Sequence, residues 1–349
     1  MTEVVSDCSS SNSLLEVRDL WVRIERDTGV VRPLNGVNFC VEEGQSVAIV
    51  GESGCGKTMA SNALLRILPR GAKITSGKML FRTKDNQERV DLAALDPNSK
   101  KMRNIRGGEI SMIFQEPMTA FSPVHTIGNQ IEEMLRVHDH VLDERQRHER
   151  VVELLDLVGI LEPAQRVHDY PFQLSGGMRQ RAMIAMALAS SPRLLIADEP
   201  TTALDVTVQA RVLKLIQRMQ KEFNLALVLI THDLGVVAQT VDYVYVMYLG
   251  RIVEEGSIET IFDSPAHPYT AALLRSIPSL ATKTENLEPI EGNLPNAHAL
   301  PSGCPFHTRC REQVGEICSR EIPLHVDVGA GHRVSCFKYT DETVGANDR

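Results

Sequence analysis

The chain has 349 residues, of which 43% are hydrophobic and 23% charged, with a net charge of −8. That length suits one large domain with an extension, or two domains, and the acidic balance weighs against a nucleic-acid-binding surface, so nucleic acid is not expected among the partners. No apolar run approaches the roughly 18–20 residues a membrane helix needs, and the first 13 residues are polar and Ser-rich without a signal-peptide core. The expectation is a cytosolic chain in which any membrane role requires a separate spanning partner.

Residues 1–13 lack periodicity and read as disordered. Leu14 to Glu25 and Val30 to Val41 read as strands, and Glu42-Glu43-Gly44-Gln45 as the turn into a short apolar strand, Val47-Ala48-Ile49-Val50. Trp21 is expected to face a core rather than stack on a ligand. The run that follows, Gly51-Glu52-Ser53-Gly54-Cys55-Gly56-Lys57-Thr58, opens a helix-like stretch from Met59 to Leu68. Strand, glycine-rich loop and helix in that order form a phosphate loop. Its glycines let backbone N–H groups turn inward on phosphate oxygens, and the helix N-terminus adds a favourable dipole. Lys57 is placed to reach the outer phosphates and Thr58 to hold Mg²⁺ through its hydroxyl.

Met79 to Asp91 reads as strand and loop, and Ile110 to Phe114 as a short strand ending at Gln115, where a polar side chain can face bound phosphates. Residues from about 118 to 172 change character. Ile127–Val137, Asp143–Val158 and Pro163–Val167 read as helices, with Asp143 as an N-cap and Val151, Leu154, Leu155 and Val158 forming one apolar face. Leu174-Ser175-Gly176-Gly177-Met178-Arg179-Gln180-Arg181 opens a further helix to Ala189, capped by Ser175, with two glycines permitting close backbone approach. It is a second helix tip suited to a phosphate. Arg193 to Pro200 holds an apolar strand that ends in two acids, Asp198 and Glu199. Asp198 suits the steadying of Mg²⁺, and Glu199 suits a general base for an attacking water. An amphipathic helix spans about 206–222, a buried strand runs from Leu225 to Ile230, and His232 after it is placed to sense a γ-phosphate. Val241–Tyr248 and Arg251–Glu254 read as a strand pair around Gly250.

Together these residues resemble the ATP-binding subunit of an ABC transporter over about 14–260: Walker A at 51–58, the Q-loop residue Gln115, the signature at Leu174 to Gln180, Walker B at Leu194 to Asp198 with Glu199 beside it, the D-loop Thr202 to Asp205, and the switch residue His232. The stretches 112–119 and 198–207, His267-Pro268-Tyr269-Thr270, and the tail 300–310 are similar to the ATPases of dipeptide and oligopeptide importers, a subfamily shared with nickel importers. The resemblance implies an α/β P-loop NTPase fold of RecA-like type with a helical subdomain at about 118–189 inside an ATPase domain at 14–265, followed by an irregular extension at 266–349. It implies ATP and Mg²⁺ as ligands, with Thr58, Gln115 and Asp198 around the metal, and Ser175, Gly176, Gly177 and Asp205 serving the nucleotide of a composite site. It implies a second homologous ATPase subunit, two membrane permeases and an extracytoplasmic solute-binding protein, and a place on the cytoplasmic face of the cell membrane. One departure is Ile24, which stands where the family sets an aromatic ring against adenine and offers no ring stacking, worth about 1 kcal/mol.

The last fifth of the chain is punctuated by Pro and Gly and carries Cys304, Cys310, Cys318 and Cys336 in the pattern C-x5-C-x7-C-x17-C. Thiolates in a reducing compartment point to metal before disulfide, and both zinc and iron–sulfur centres accept them. The C-x2-C pairs usual for zinc are missing. Related peptide-importer ATPases carry a four-iron four-sulfur cluster on such a tail, and these four positions match. Two rival readings are a soluble ABC ATPase of DNA repair or translation, in which a long coiled coil separates the motifs or two ATPase units share one chain, whereas this chain has a short insert and one unit, and a non-hydrolysing binding subunit, against which Glu199, His232 and the signature all stand.

Overall fold

The computed structural model describes residues 12–27, 29–84, 89–139, 141–202, 205–276, 290–295, 298–329 and 331–340. Two sheets organise them. Strands β1 (Ser13–Arg26), β2 (Gly29–Glu42), β4 (Ala72–Arg82) and β5 (Arg89–Asp91) form an antiparallel sheet in the order β2-β1-β4-β5. The second sheet has eight strands in the order β11-β12-β10-β9-β3-β8-β7-β6. Its strands are β3 (Ser46–Val50), β6 (Ile110–Ile113), β7 (Leu194–Asp198), β8 (Ala226–Thr231), β9 (Tyr243–Tyr248), β10 (Arg251–Ser257), β11 (Val326–Gly329) and β12 (His332–Val334). β9, β3, β8, β7 and β6 run parallel. All residues of β3, β7 and β8 are buried, as expected where both faces of a parallel strand are covered.

Each face of the large sheet closes over its own core. One core joins it to the antiparallel sheet through residues such as Leu34, Phe39, Phe81, Ile49 and Val228. The other joins it to helices: Leu195, Leu229 and Val246 pack with Ile131, Leu154, Leu155, Met183 and Ile216. Short helices α1 (Lys57–Leu64) and α2 (Lys100–Gly108) precede the helical run. That run is α3 (Pro117–Ala120), α4 (Ile127–His138), α5 (Glu144–Leu157), α6 (Pro163–Arg166) and α7 (Gly176–Leu188), uninterrupted by a strand among the described residues. Helix α5 starts where the sequence places its cap: Asp143 accepts from the Gln146 N–H and the Gln146 side chain returns to the Asp143 N–H, a reciprocal box. Its apolar face, Val151, Leu154 and Leu155, is buried.

Helices α8 (Val206–Phe223), α9 (Leu234–Thr240), α10 (Ile258–Asp263) and α11 (Pro268–Arg275) complete the region before the tail, and α12 (Ile317–Arg320) lies within it. The described residues of the tail hold more regular structure than its composition implies. β12 pairs antiparallel with β10, and β11 with β12, extending the large sheet. Fully buried Glu254 on β10 fastens it, accepting from the backbone N–H groups of Ala266 (2.6 Å) and His267 (3.0 Å) and pairing with His332 Nε2 (2.7 Å). Strands of four and three residues flanked by glycines carry too little alternation to be read beforehand.

Two expectations need correction. Ser13 does not belong to a disordered leader but opens β1 and is buried; residues 1–11 of that expected leader lie outside the described residues. Trp21 is not a core residue. It is half-buried, donates Nε1–H to Asp19 Oδ1 (2.7 Å) and lies under the Arg251 guanidinium at 5.6 Å, a cation–π contact that fits a ring at the protein surface. No helix among the described residues is long and apolar enough to cross a membrane.

Candidate nucleotide site

Parallel strands deliver their carboxyl ends to one edge, and the candidate residues are there. β3 ends at Val50 beside Thr231 of β8; Asp198 of β7 pairs with Ile230; Ile113 of β6 pairs with Ala197. The phosphate loop, Gln115, Asp198, Glu199 and His232 therefore leave the sheet side by side, where open α/β sheets bind ligands.

The loop depends on its glycines. Gly51, Gly54 and Gly56 have φ of 153°, 83° and 114°. A Cβ on Gly51 would stand 2.2 Å from the Met247 carbonyl oxygen, and one on Gly56 2.4 Å from that of Pro33. At Gly51 and Gly56 side chains are thus excluded by both conformation and space, and at Gly54 by conformation. Lys57 is buried, and its ammonium donates to the carbonyl oxygens of Gly51 (2.8 Å) and Glu52 (3.1 Å), 3.9 Å from Cys55 Sγ. Burial raises the Cys55 thiol pKa, an effect that the neighbouring Lys57 only partly offsets. Ser53, Gly54 and Thr58 are exposed at the loop surface.

Asp198 is buried, and its Oδ1 has no hydrogen-bond partner. Burial pushes its carboxyl up to about 6, although the Thr58 hydroxyl and Lys57 pull the other way. An orphaned buried carboxylate oxygen beside a threonine hydroxyl is the donor set a hard cation takes, so these two residues fit Mg²⁺. Glu199 follows in a left-handed conformation, φ 46°, rare for a side-chain-bearing residue and a form of strain that gathers at active sites. It is the hub of three side chains. Gln115 Nε2 donates to Oε2 at 2.9 Å, Thr202 Oγ1 donates to the same oxygen at 2.9 Å, and His232 Nδ1 stands 3.1 Å from Oε1. Burial raises its pKa, but the bonds from His232 and Thr202 more than offset that, and the carboxyl is held below its ordinary value. Glu199 is thus an ionised acceptor at neutral pH, with its side chain 14% exposed beside a 60% exposed His232.

Not every expected residue joins this edge in the expected way. Gln115 is bonded to Glu199 rather than to the Asp198–Thr58 pair. Ile24, opposite Val31 and Ala72, is 6% exposed and presents little surface to a base. The signature forms a separate surface: Ser175 caps α7 by accepting from the Met178 N–H (3.3 Å), and both Ser175 and Gly176 are exposed. Nothing lies within 4 Å of a Cβ placed on Gly176, whereas one on Gly177 would meet Val208 at 3.2 Å. Asp205 caps α8 through the Val208 N–H (2.9 Å); Ala203 and Leu204 of the expected D-loop lie outside the described residues. Sequence reading missed Thr202 as a partner of Glu199, although its hydroxyl three residues on was the available signal.

In the tail, Cys304, Cys310, Cys318 and Cys336 line one small cavity with Phe306, Phe337 and His267. Burial, and secondarily the neighbouring thiols, push Cys304 and Cys336 up to about 11. Among the described residues no group of three or more His, Cys, Asp or Glu side chains is arranged to hold a metal ion, so the iron–sulfur expectation gains no support from such a site.

Comparison with known proteins agrees with this geometry. The ABC transporter family model matches residues 34–202, and the model of the oligopeptide/dipeptide transporter C-terminal region matches 253–318. A probable peptide ABC transporter ATP-binding protein of Sinorhizobium fredii is 45% identical over 93% of this chain and 95% of its own. A dipeptide transport ATP-binding protein of Bacillus subtilis is 46% identical over 93% and 94%. Among solved structures, an ATP-binding cassette in a dimeric post-hydrolysis state bound to ADP and Pi superposes with a TM-score of 0.61 at 25% identity, covering 70% of this chain and 98% of that one.

Proposed function

The chain belongs to the ATP-binding subunits of ABC transporters, in their peptide-transporting branch, and we propose that it is the ATPase that drives import of di- or oligopeptides. The observation that carries the catalytic part is the convergence of the phosphate loop, Asp198 and the Gln115–Thr202–His232 group around Glu199 on one sheet edge. Backbone N–H groups of 51–58 bind the triphosphate, with Lys57 exchanging its loop carbonyls for phosphate oxygens. Thr58 and Asp198 would hold Mg²⁺, with Gln115 as a further candidate ligand, and the bound ion would supply charge neutralisation on the phosphates. Glu199, ionised and aimed by its three partners, accepts the proton of the attacking water, and His232 keeps that carboxylate in place beside the γ-phosphate.

Because Ser175, Gly176 and Gly177 lie on an exposed helix tip that needs a phosphate to face, a second, homologous ATPase subunit supplies the complementary half of each site. Asp205 belongs to that interface, and Ile24, 6% exposed, offers the base no more than an edge. Two permeases bind the helical subdomain at the cytoplasmic face of the membrane, and an extracytoplasmic binding protein delivers the peptide. The same motor serving nickel or another small solute is the alternative, as is a soluble ABC ATPase. Domain limits of 14–265 and 266–349 follow from the same reading, the latter contributing β11 and β12 to the sheet.

Cys304, Cys310, Cys318 and Cys336 are proposed to hold a four-iron four-sulfur cluster. Supporting this, all four line one small cavity, and thiolates are the side chains that hold such clusters. The cluster contributes structural cross-linking. Reconstitution in proteoliposomes with co-purifying permeases, partner ATPase and binding protein tests the function: dipeptide-loaded binding protein is expected to stimulate ATP hydrolysis and peptide uptake. Stimulation by nickel alone, or hydrolysis indifferent to every solute, would replace the peptide reading.

A further inference from the structure

The tail reaches the phosphate loop and hydrogen-bonds to it at Glu52. Glu52 is held at three points. Its backbone N–H donates to Tyr269 Oη (2.9 Å), its carbonyl accepts from Lys57, and its carboxylate takes a two-pronged bond from Arg309, with Nη1 to Oε2 at 2.6 Å and Nη2 to Oε1 at 3.1 Å. Tyr269 is fully buried and the Arg309 side chain is 4% exposed. The same guanidinium lies over the Tyr248 ring at 5.9 Å and donates from Nε to the Glu291 carbonyl (3.0 Å) and from Nη2 to that of Ile290 (3.4 Å). It thereby fixes the segment whose Leu294 stands 3.9 Å from a Cβ placed on Gly54. Buried planar guanidinium–carboxylate pairs are among the strong, geometry-specific contacts in proteins.

We propose that Arg309 is a positioning residue for ATP binding: by pairing with Glu52 from the C-terminal extension, it neutralises the one carboxylate inside the phosphate loop and holds the loop open for a triphosphate. This rests on the ATPase reading. Without Arg309, Glu52 becomes an unpaired anion a few residues from where the phosphates bind. A like charge at such range is costly in a partly desolvated site. The consequence falls on ATP affinity, because Arg309 touches neither Glu199 nor Asp198.

The test uses the assembled transporter and Mg-ATP. Arg309→Ala is expected to raise KM for ATP by roughly tenfold or more while kcat at saturating ATP changes less than about twofold. Adding Glu52→Gln to Arg309→Ala is expected to lower KM again by about fivefold, because the stranded charge is gone. A merely structural role for Arg309 predicts no such recovery. KM within about twofold of wild type in Arg309→Ala, or a double variant as weak as the single, overturns the proposal. Should Arg309→Ala not accumulate folded, Arg309→Gln replaces it with the same two outcomes. A wild-type complex that fails to bind ATP would instead refute the ATPase reading.

Discussion

Replacing Asp198 with Asn sets stability against function in a measurable way. Burial raises the Asp198 carboxyl from 3.8 to about 6, so the folded, nucleotide-free protein carries an unfavourable buried charge at neutral pH. That rise corresponds to roughly 3 kcal/mol. The direction follows from linkage: a carboxyl whose folded pKa is raised costs stability fully above about pH 6, and the cost is gone below the unfolded value of 3.8. Asp198→Asn removes the charge and keeps the shape. Without nucleotide at pH 7.5, the variant is expected to be more stable than wild type by up to about 3 kcal/mol, a rise of several degrees in Tm. The difference should shrink as pH falls from 6 towards 4. With Mg-ATP the order should reverse, because only wild type offers the cation a charged carboxylate, whose Oδ1 has no hydrogen-bond partner in the protein. Thermal unfolding at several pH values with and without Mg-ATP reads all of this. A variant no more stable than wild type at pH 7.5, or one that gains equally from Mg-ATP, would refute the assignment of Asp198 as a strained, cation-awaiting carboxylate.

Three further outcomes are expected. Glu199→Gln should lower kcat by roughly 10²–10⁴-fold while leaving ATP binding intact, as measured by steady-state hydrolysis beside equilibrium nucleotide binding; wild-type turnover would remove Glu199 from the base role. Gly176→Val should fold, since nothing lies within 4 Å of a Cβ placed there, yet abolish ATP-dependent association with the partner ATPase in size-exclusion chromatography; unchanged association would detach the signature from the interface. Anaerobically purified protein should contain about four iron atoms per chain and lose them in Cys304→Ser; colourless, iron-free preparations would dismiss the cluster.

Much of the catalytic edge was legible because its chemistry is local in sequence. A glycine loop between strand and helix, or two acids closing an apolar strand, declares itself within ten residues, and strands β3, β7 and β8 appear where apolar runs place them. What escaped depends on contacts distant along the chain. Arg309 meets Glu52 across 257 residues, and nothing near either residue signals the pairing. β12 was invisible because three residues gain their strand character only from β10 beside them. Trp21 shows the limit of composition: a large aromatic is a good guess for the core, but Asp19 and Arg251 give its ring and its N–H better partners at the surface. Ile24 was located by position in a pattern, yet only the fold shows how little of it remains exposed.

The central claim is that ATP bound on this loop is capped by the signature tip of a second ATPase subunit. Its most direct test is disulfide cross-linking in the assembled transporter, with one cysteine replacing exposed Ser53 of this chain and another replacing the signature serine of the partner, in a Glu199→Gln background that retains ATP. Cross-linking is expected to be efficient with Mg-ATP and sparse without nucleotide. Equal yields in both conditions, or none in either, would contradict the account.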